Sequence, residues 1–579
     1  MLFQRAGLSL LGTLSAPLLP DFLTSNPLPQ GFPWGNRTAA TTNPYEFSPT
    51  TGVIRKYDLT ISRGFLAPDG VNKSVLLINN QFPAPKLEAN WGDTFQITVH
   101  NQITGPEEGT ALHWHGILQR ATPWYDGVPS VQQCPIAPGK SMTYTFKADL
   151  YGTSWYHSHY SAQYAGGLAG PMIIYGPKNK AYDIDVGPVM LSDWYHGEYF
   201  SIVEQVVGTP GKPPPRSDNN LINGKMDYDC SKAPAGVACT PNAGISKFKF
   251  TQGKTHRLRL INPGSEGIQR FRIDNHTMTV IANDFVPVKP YDTDVVTLGI
   301  GQRTDVLVKA TLPATSAVFM RSDISANCAT ANQPSAVAAI YYNKADTTKT
   351  PTTVAAPYDD SHCGNDPLAK TTPFFPFPAT SNPATVQNID ITLGPNATGN
   401  VLWKMNGVSF RGNYDHPILL LANLGNVSYP DDPQWNVYNF GNNNSVRIIM
   451  KNTIPAAHPM HLHGHNFNVL AEGTGEWDGT VTHIQNTQRR DVQILLPAAV
   501  VNGAIVPSYL VIQYNTDNPG VWPLHCHIAW HVSAGLYINT MEQVDLIKKR
   551  VVPSTIAQTC RDWADYSGHN VVEQIDSGL

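Results

Sequence analysis

The sequence predicts an all-β protein of several domains, and three observations predict it. Its 579 residues exceed what one hydrophobic core serves and call for two to four domains. Its 47 prolines and 46 glycines, with only 15% charged residues, suit many short strands joined by turns. The apolar residues alternate or nearly alternate with period two, as in Val53-Ile54-Arg55-Lys56-Tyr57-Asp58-Leu59-Thr60-Ile61 and Phe95-Gln96-Ile97-Thr98-Val99-His100.

Taken in order, residues 1–44 read as a leader and N-terminal extension. Arg5 followed by the apolar run from Ala6 to Leu19 resembles a secretory signal, but Pro17 and Pro20 interrupt it, and a flexible leader fits equally well. The first segment, 45–177, closes at Tyr175-Gly176-Pro177, and the second covers 178–365. A long polar, Pro-rich passage from Thr348 to Pro383 reads as a linker into the third segment, 366–579. The net charge of −4, without a long basic run, argues against nucleic acid or an anionic membrane as partner. No uninterrupted apolar stretch reaches the roughly 18 residues of a membrane-spanning helix.

The chemistry is concentrated in His525-Cys526-His527-Ile528-Ala529-Trp530-His531. Side chains alternate along a strand, so His525 and His527 point one way and Cys526 the other. His531 follows on a loop or short helix, and His458, in His458-Pro459-Met460-His461-Leu462-His463-Gly464-His465, is a further ligand for the thiolate side. A thiolate with two imidazoles and a weak axial position is the pattern of a blue-copper electron-transfer centre. Three more pairs, His113-Trp114-His115, His157-Ser158-His159 and His461-Leu462-His463, supply imidazoles for a second centre. On a strand each pair shares one face, roughly 6.6–7 Å apart; on a helix its members diverge by about 200°. A single such pair is ordinarily a surface or core feature, but four, one of them built around a cysteine, are not. Zinc is the inorganic rival, yet zinc sites close with four ligands and need no thiolate-linked neighbour.

These four motifs resemble the copper-binding segments of multicopper oxidases, most closely laccases of filamentous ascomycetes. The run from His525 through Leu536, Asn275-His-Thr-Met-Thr-Val-Ile-Ala-Asn-Asp284 and the terminal Asp576-Ser577-Gly578-Leu579 carry the narrower likeness, which extends from about residue 45 onward. The resemblance implies three cupredoxin-like Greek-key β-barrels and four copper ions: one type 1, one type 2 and a coupled type 3 pair. His458, Cys526 and His531 would hold type 1; His113 and His461 type 2; His115, His157 and His527 one of the pair; His159, His463 and His525 the other. His465 is left as a structural histidine. Electrons would pass from a phenolic or aryl-amine substrate through Cys526 to His525 or His527, and dioxygen would be reduced to water.

The resemblance also places Leu536 at the axial position of the blue copper. Leucine donates nothing there, which implies a moderately to very high potential, although Leu536 is equally a core residue. Glu266 aligns with a loop acid facing the phenol, where it would take the proton lost with the electron; the plain alternative is a solvated loop glutamate. Asp126 matches an acid near the type 2 copper that relays protons; the alternative is an Asp-Gly turn. Setting Cys526 aside leaves six cysteines, suited to an oxidising compartment. The resemblance suggests Cys134–Cys560 and Cys328–Cys363, leaving Cys230 and Cys239 to pair by elimination. Asn-x-Ser/Thr sequences at Asn36, Asn72, Asn275, Asn396, Asn426 and Asn443 fit secretion without proving it. A secreted, extracellular monomer follows from the same likeness. Ferroxidase, ascorbate oxidase, bilirubin oxidase and a dedicated pathway phenol oxidase share the copper motifs. A copper-binding electron carrier is the alternative that is not an enzyme.

Overall fold

The computed structural model describes residues 33–208, 213–442 and 444–579. The apolar run read as a signal and the Asn443 sequence lie outside the described residues.

Among the described residues the strands form three pairs of sheets in sequence order, with four and four, six and five, and six and five strands, beside a small hairpin of Ala499–Val501 and Ala504–Val506. One topological device recurs in all three. Ile54–Leu66 lies parallel to Thr94–Asn101, Ile184–Trp194 to Thr255–Ile261, and Thr385–Pro395 to Val446–Asn452. In the facing sheets, Leu87–Asn90 lies parallel to Ala169–Tyr175, Lys247–Phe250 to Ser335–Tyr342, and Val437–Gly441 to Tyr537–Glu542. A parallel neighbour requires a connection that leaves the sheet and returns, so each pair is a Greek-key unit rather than a meander. These are the three cupredoxin-like domains expected.

Burial separates two kinds of strand. Thr94–Asn101 and Val446–Asn452 bury alternate residues, the signature of one wet face. Gly152–Ser158, His458–Leu462 and Gly520–Cys526 are buried along their whole length. Their second face is covered by another domain, and these are the strands that carry the histidine motifs.

The passage from Thr348 to Pro383 contains no strand, yet it is not a free linker. Lys289 N donates to Thr372 O, Phe374 N to Pro287 O, and Arg489 Nη2 to Phe375 O, each at 2.8 Å. Asn365 Oδ1 accepts from Gln302 Nε2 of the second domain and from Ile494 N of the third. The segment straps those two domains together, and its backbone polar groups find partners as buried backbone must. Disulfides join Cys134 to Cys560, Cys230 to Cys239 and Cys328 to Cys363. Cys526 is free and buried. Among the described residues no helix is long and apolar enough to cross a membrane.

Candidate metal centre

The His-x-His pairs His113/His115, His157/His159, His461/His463 and His525/His527 each sit where a strand stops. His113, His157, His461 and His525 belong to the strands Leu112–Trp114, Gly152–Ser158, His458–Leu462 and Gly520–Cys526, and their partners two residues on lie just past each end. The spacing predicts each pair on one face of a strand; the second histidine of each instead falls just beyond the strand's end. Departure from regular pleating draws the rings closer than strand rise alone allows: centroids are 5.8 Å apart for His113/His115, 5.7 Å for His157/His159, 4.6 Å for His461/His463 and 5.5 Å for His525/His527.

The first and third domains bring these eight imidazoles into one buried cluster. His113 of the first packs on His463 of the third at 4.1 Å between centroids, and His115 stacks on His461 at 4.0 Å. His113, His461 and His463 present nitrogens within 4.8 Å of one another, as do His159, His463 and His525, and also His113, His115 and His157. His527 joins through its Nε2, 3.3 Å from His115 Nδ1.

Their hydrogen bonds select the tautomer. Nδ1–H of His113 donates to Asp126 O, of His157 to Ser158 O, of His461 to Asp491 O and of His525 to Cys526 O, at 2.7–2.9 Å. A neutral imidazole so engaged carries its lone pair on Nε2. The Nε2 atoms of His113, His157, His159 and His461 are buried without a partner. His463 Nδ1 donates to Asp126 Oδ2 at 2.8 Å, so its Nε2 faces that of His525 at 3.1 Å, lone pair against lone pair. Burial and neighbouring imidazoles hold His115, His157, His159, His461, His463 and His527 well below the usual histidine pKa, and burial takes His525 down to about 3. Neutral rings with converging, unprotonated nitrogens fit metal cations and little else.

A second group lies on the other face of the same strand. Cys526 Sγ is 3.6 Å from His458 Nδ1 and 3.5 Å from His531 Nδ1, and those two nitrogens are 3.1 Å apart. His531 rides the short helix Ala529–Ser533, the second of the two placements, loop or short helix, that the sequence left open. Burial pushes the Cys526 thiol up and His458 down to about 3, so a thiolate forms here only against a bound cation. Leu536 is fully buried, and its backbone brackets the group: its N–H donates to His531 O and its carbonyl accepts from Cys526 N. Trp403, not singled out in the sequence, covers both rings at 4.8 Å from His458 and 4.4 Å from His531.

Glu266 is near this second group. Its loop is clamped by the Asp193 carboxylate, which accepts from the backbone N–H of Ser265, Glu266 and Gly267. Ala529 N donates to Ser265 O, tying the loop to the His531 helix. Burial, reinforced by the Asp193 charge, pushes Glu266 up to about 8 despite a hydrogen bond from Tyr195. Asp126 is fully buried in the histidine cluster, with Oδ1 3.3 Å from His113 Nδ1. His465 lies outside both groups, 2.8 Å from Glu542.

The acid that sequence reasoning missed is Asp491. It accepts from His115 Nε2 at 3.1 Å and takes a two-pronged bond from Arg303, Nη1–Oδ1 2.6 Å and Nη2–Oδ2 2.7 Å. The available signal was Arg489-Arg490-Asp491 set against Val492-Gln-Ile-Leu495, charge where a strand is otherwise apolar, because buried charges are rarely unpaired.

Family models described as multicopper oxidase match residues 60–179, 185–345 and 401–545. The chain is 36% identical to Laccase-2 of Botryotinia fuckeliana, over 100% of this chain and 98% of that protein. It is 34% identical to dihydrogeodin oxidase of Aspergillus terreus, over 91% of each. The crystal structure of the laccase from Botrytis aclada superposes with a TM-score of 0.85 at 36% identity, covering 94% of this chain and 98% of that one. Three matched domains, relatives along the full length and two buried histidine groups joined through Cys526 all agree: the chain belongs to the multicopper oxidase family, whose members are copper-dependent oxidoreductases.

Proposed function

We propose that the protein is a laccase, oxidising phenols and aryl amines one electron at a time and reducing dioxygen to two waters. The observation that carries this reading is covalent: Cys526 of the thiolate group is flanked in sequence by His525 and His527 of the imidazole cluster. Four coppers are assigned, with type 1 on His458, Cys526 and His531, and type 2 on His113 and His461. The type 3 pair takes His115, His157 and His527 on one side and His159, His463 and His525 on the other. Copper in these places supplies one-electron acceptance from the substrate and four-electron reduction of dioxygen. Four substrate molecules each give up one electron and one proton, and one dioxygen takes up all four of each.

The chain's own groups handle protons and position. Glu266 lies on the substrate side and takes the phenolic proton when ionised. Asp126 orients His113 and His463 and would supply protons for the reduction of dioxygen. Leu536 would offer no donor to a copper held by His458, Cys526 and His531. Secretion accords with the three disulfides. A monomer divided at 177/178 and 365/366 completes the reading.

Steady-state oxygen uptake with a dimethoxyphenol, ascorbate, bilirubin and ferrous iron tests it. The phenol is expected to be oxidised with the highest kcat/KM; preference for any of the others overturns the assignment. A second reading, a phenol oxidase dedicated to one pathway, is favoured by the likeness to dihydrogeodin oxidase, nearly equal to that of the laccases. It predicts uptake with one or a few related phenols and indifference to simple ones.

A further inference from the structure

Arg489 is a buried cation without a counter-charge. The residue is 4% exposed, and its Nη2 donates to Phe375 O, while Nε and Nη1 have no partner. The guanidinium carbon lies 5.2 Å from the Tyr45 ring centroid and 5.6 Å from that of Phe377. Among the described residues no carboxylate pairs with it, and burial pulls its pKa down. The adjacent Arg490 differs entirely, being bound to Asp284 through Nε and Nη2, each at 3.0 Å.

Arg489 borders a cavity of about 160 Å³ where the first domain, the strap and the third domain meet. The same cavity is lined by Tyr45, Asn466 and Tyr514, whose hydroxyls and side-chain amide are also buried without partners, while Arg120 and the exposed carboxylates Glu46 and Asp517 stand at its rim without pairing with Arg489. An isolated buried charge costs several kcal/mol, and unpaired dipoles add to that cost. Ordered water satisfies the dipoles but leaves the charge uncompensated. We propose that this cavity is a binding site for a small carboxylate, held by Arg489 with Asn466, Tyr45 and Tyr514 and walled by the Tyr45 and Phe377 rings. A planar carboxylate matches the flat guanidinium, which a spherical halide does not. Aromatic walls favour an aryl or short alkyl body over inorganic anions. The site shares no residue with the two histidine groups, so the inference stands apart from the substrate assignment.

Isothermal titration of the copper-loaded protein with benzoate and acetate, and with chloride as the comparison, tests it. Saturable one-to-one binding of benzoate is expected, weakened roughly ten- to hundredfold in Arg489→Met, the loss expected for a charge-assisted hydrogen bond. Should that variant not fold, Arg489→Lys retains the charge without the planar fork, and Tyr45→Phe removes one donor; each is expected to weaken benzoate severalfold. Absence of saturable benzoate binding to the wild type at millimolar concentration overturns the proposal. So does benzoate affinity indifferent to these substitutions, which would locate the anion at the metal centre. Chloride binding as tightly as benzoate overturns the choice of a carboxylate.

Discussion

Tyr195 Oη donates to Glu266 Oε2 at 3.1 Å and accepts from Trp530 Nε1 at the same distance. The loop acid is thereby connected to the residue immediately before His531. Burial and Asp193 oppose ionisation of Glu266, while Tyr195 favours it, and the balance lies near pH 8. Below that pH Glu266 is mainly the neutral acid, and above it the carboxylate. In its proposed role as proton acceptor, a group poised so high would contribute most at the alkaline end of the working range.

The phenol-specific part of the rate is therefore expected to rise as pH passes upward through about 8. Dividing kcat/KM for a phenol by that for a donor with no acidic proton removes effects common to both. Tyr195→Phe deletes the hydrogen bond that lowers the pKa, so the midpoint of this ratio should move to higher pH. Glu266→Ala should abolish the dependence and depress phenol oxidation by about 10²–10⁴-fold or less, because water substitutes in part. Equal losses on both donors would return Glu266 to a structural role.

Cys526→Ser removes the thiolate while leaving every residue of the imidazole cluster in place. The wild-type holoprotein should contain four coppers per chain and absorb intensely in the visible. The variant should lose that band and about one copper, retaining the rest. Metal analysis beside an absorption spectrum decides it, and a copper-loaded wild type without the band refutes the thiolate centre.

Leu536→Met brings a thioether to a position whose backbone already braces Cys526 and His531. The sulfur stabilises oxidised copper more than reduced copper, so a redox titration should read a lower potential. Oxidation of high-potential phenols should slow in parallel. An unchanged or higher potential would remove Leu536 from the axial position.

The disulfide Cys134–Cys560 closes a separation of 426 residues and fastens the helix Ser554–Ser567 to the first domain. Beyond that helix the chain end is buried, with Gly578 O accepting from Ser161 N and from Tyr414 Oη. Replacing both cysteines by alanine should cost about 2–4 kcal/mol. It should also expose the C-terminal segment to limited proteolysis before the barrels unfold. Simultaneous loss of both would show that the tail is held without the disulfide.

What was legible in the sequence was local or covalent. Alternation in Thr94–Asn101 and the His-x-His spacings are properties of a few consecutive residues, and they led to strands, ligand groups and the Cys526 link. The ends of the motif strands were not legible, because a strand stops where its pairing partner stops, as Gly520–Cys526 does against Tyr537–Glu542, with Gly520 opposite Glu542 and His525 opposite Tyr537. Thr348 to Pro383 read as a linker because its composition is that of a loop; its partners are distant residues of both the second and the third domain. Asp491 carried no motif, since its partners His115 and Arg303 are 376 and 188 positions away.

Asp491 is the residue whose removal should separate folding from metal loading. It is fully buried, accepts from His115 Nε2 through its side chain and from His461 Nδ1 through its backbone, and neutralises Arg303. Asp491→Ala leaves the Arg303 guanidinium with Asp284, 3.5 Å away and already bound by Arg490, as its remaining counter-charge, and breaking a buried pair from one side costs up to about 3–5 kcal/mol. Arg303→Met together with Asp491→Ala removes both charges, and much of that stability should return. Copper loading should not return with it, because His115 then lacks the acceptor that fixes its Nε2 proton and turns Nδ1 toward His527. Thermal unfolding of the copper-free proteins read beside copper content of the loaded ones separates the two effects. If the double variant regains copper along with stability, Asp491 serves only to neutralise Arg303 and the orientation of His115 is set elsewhere.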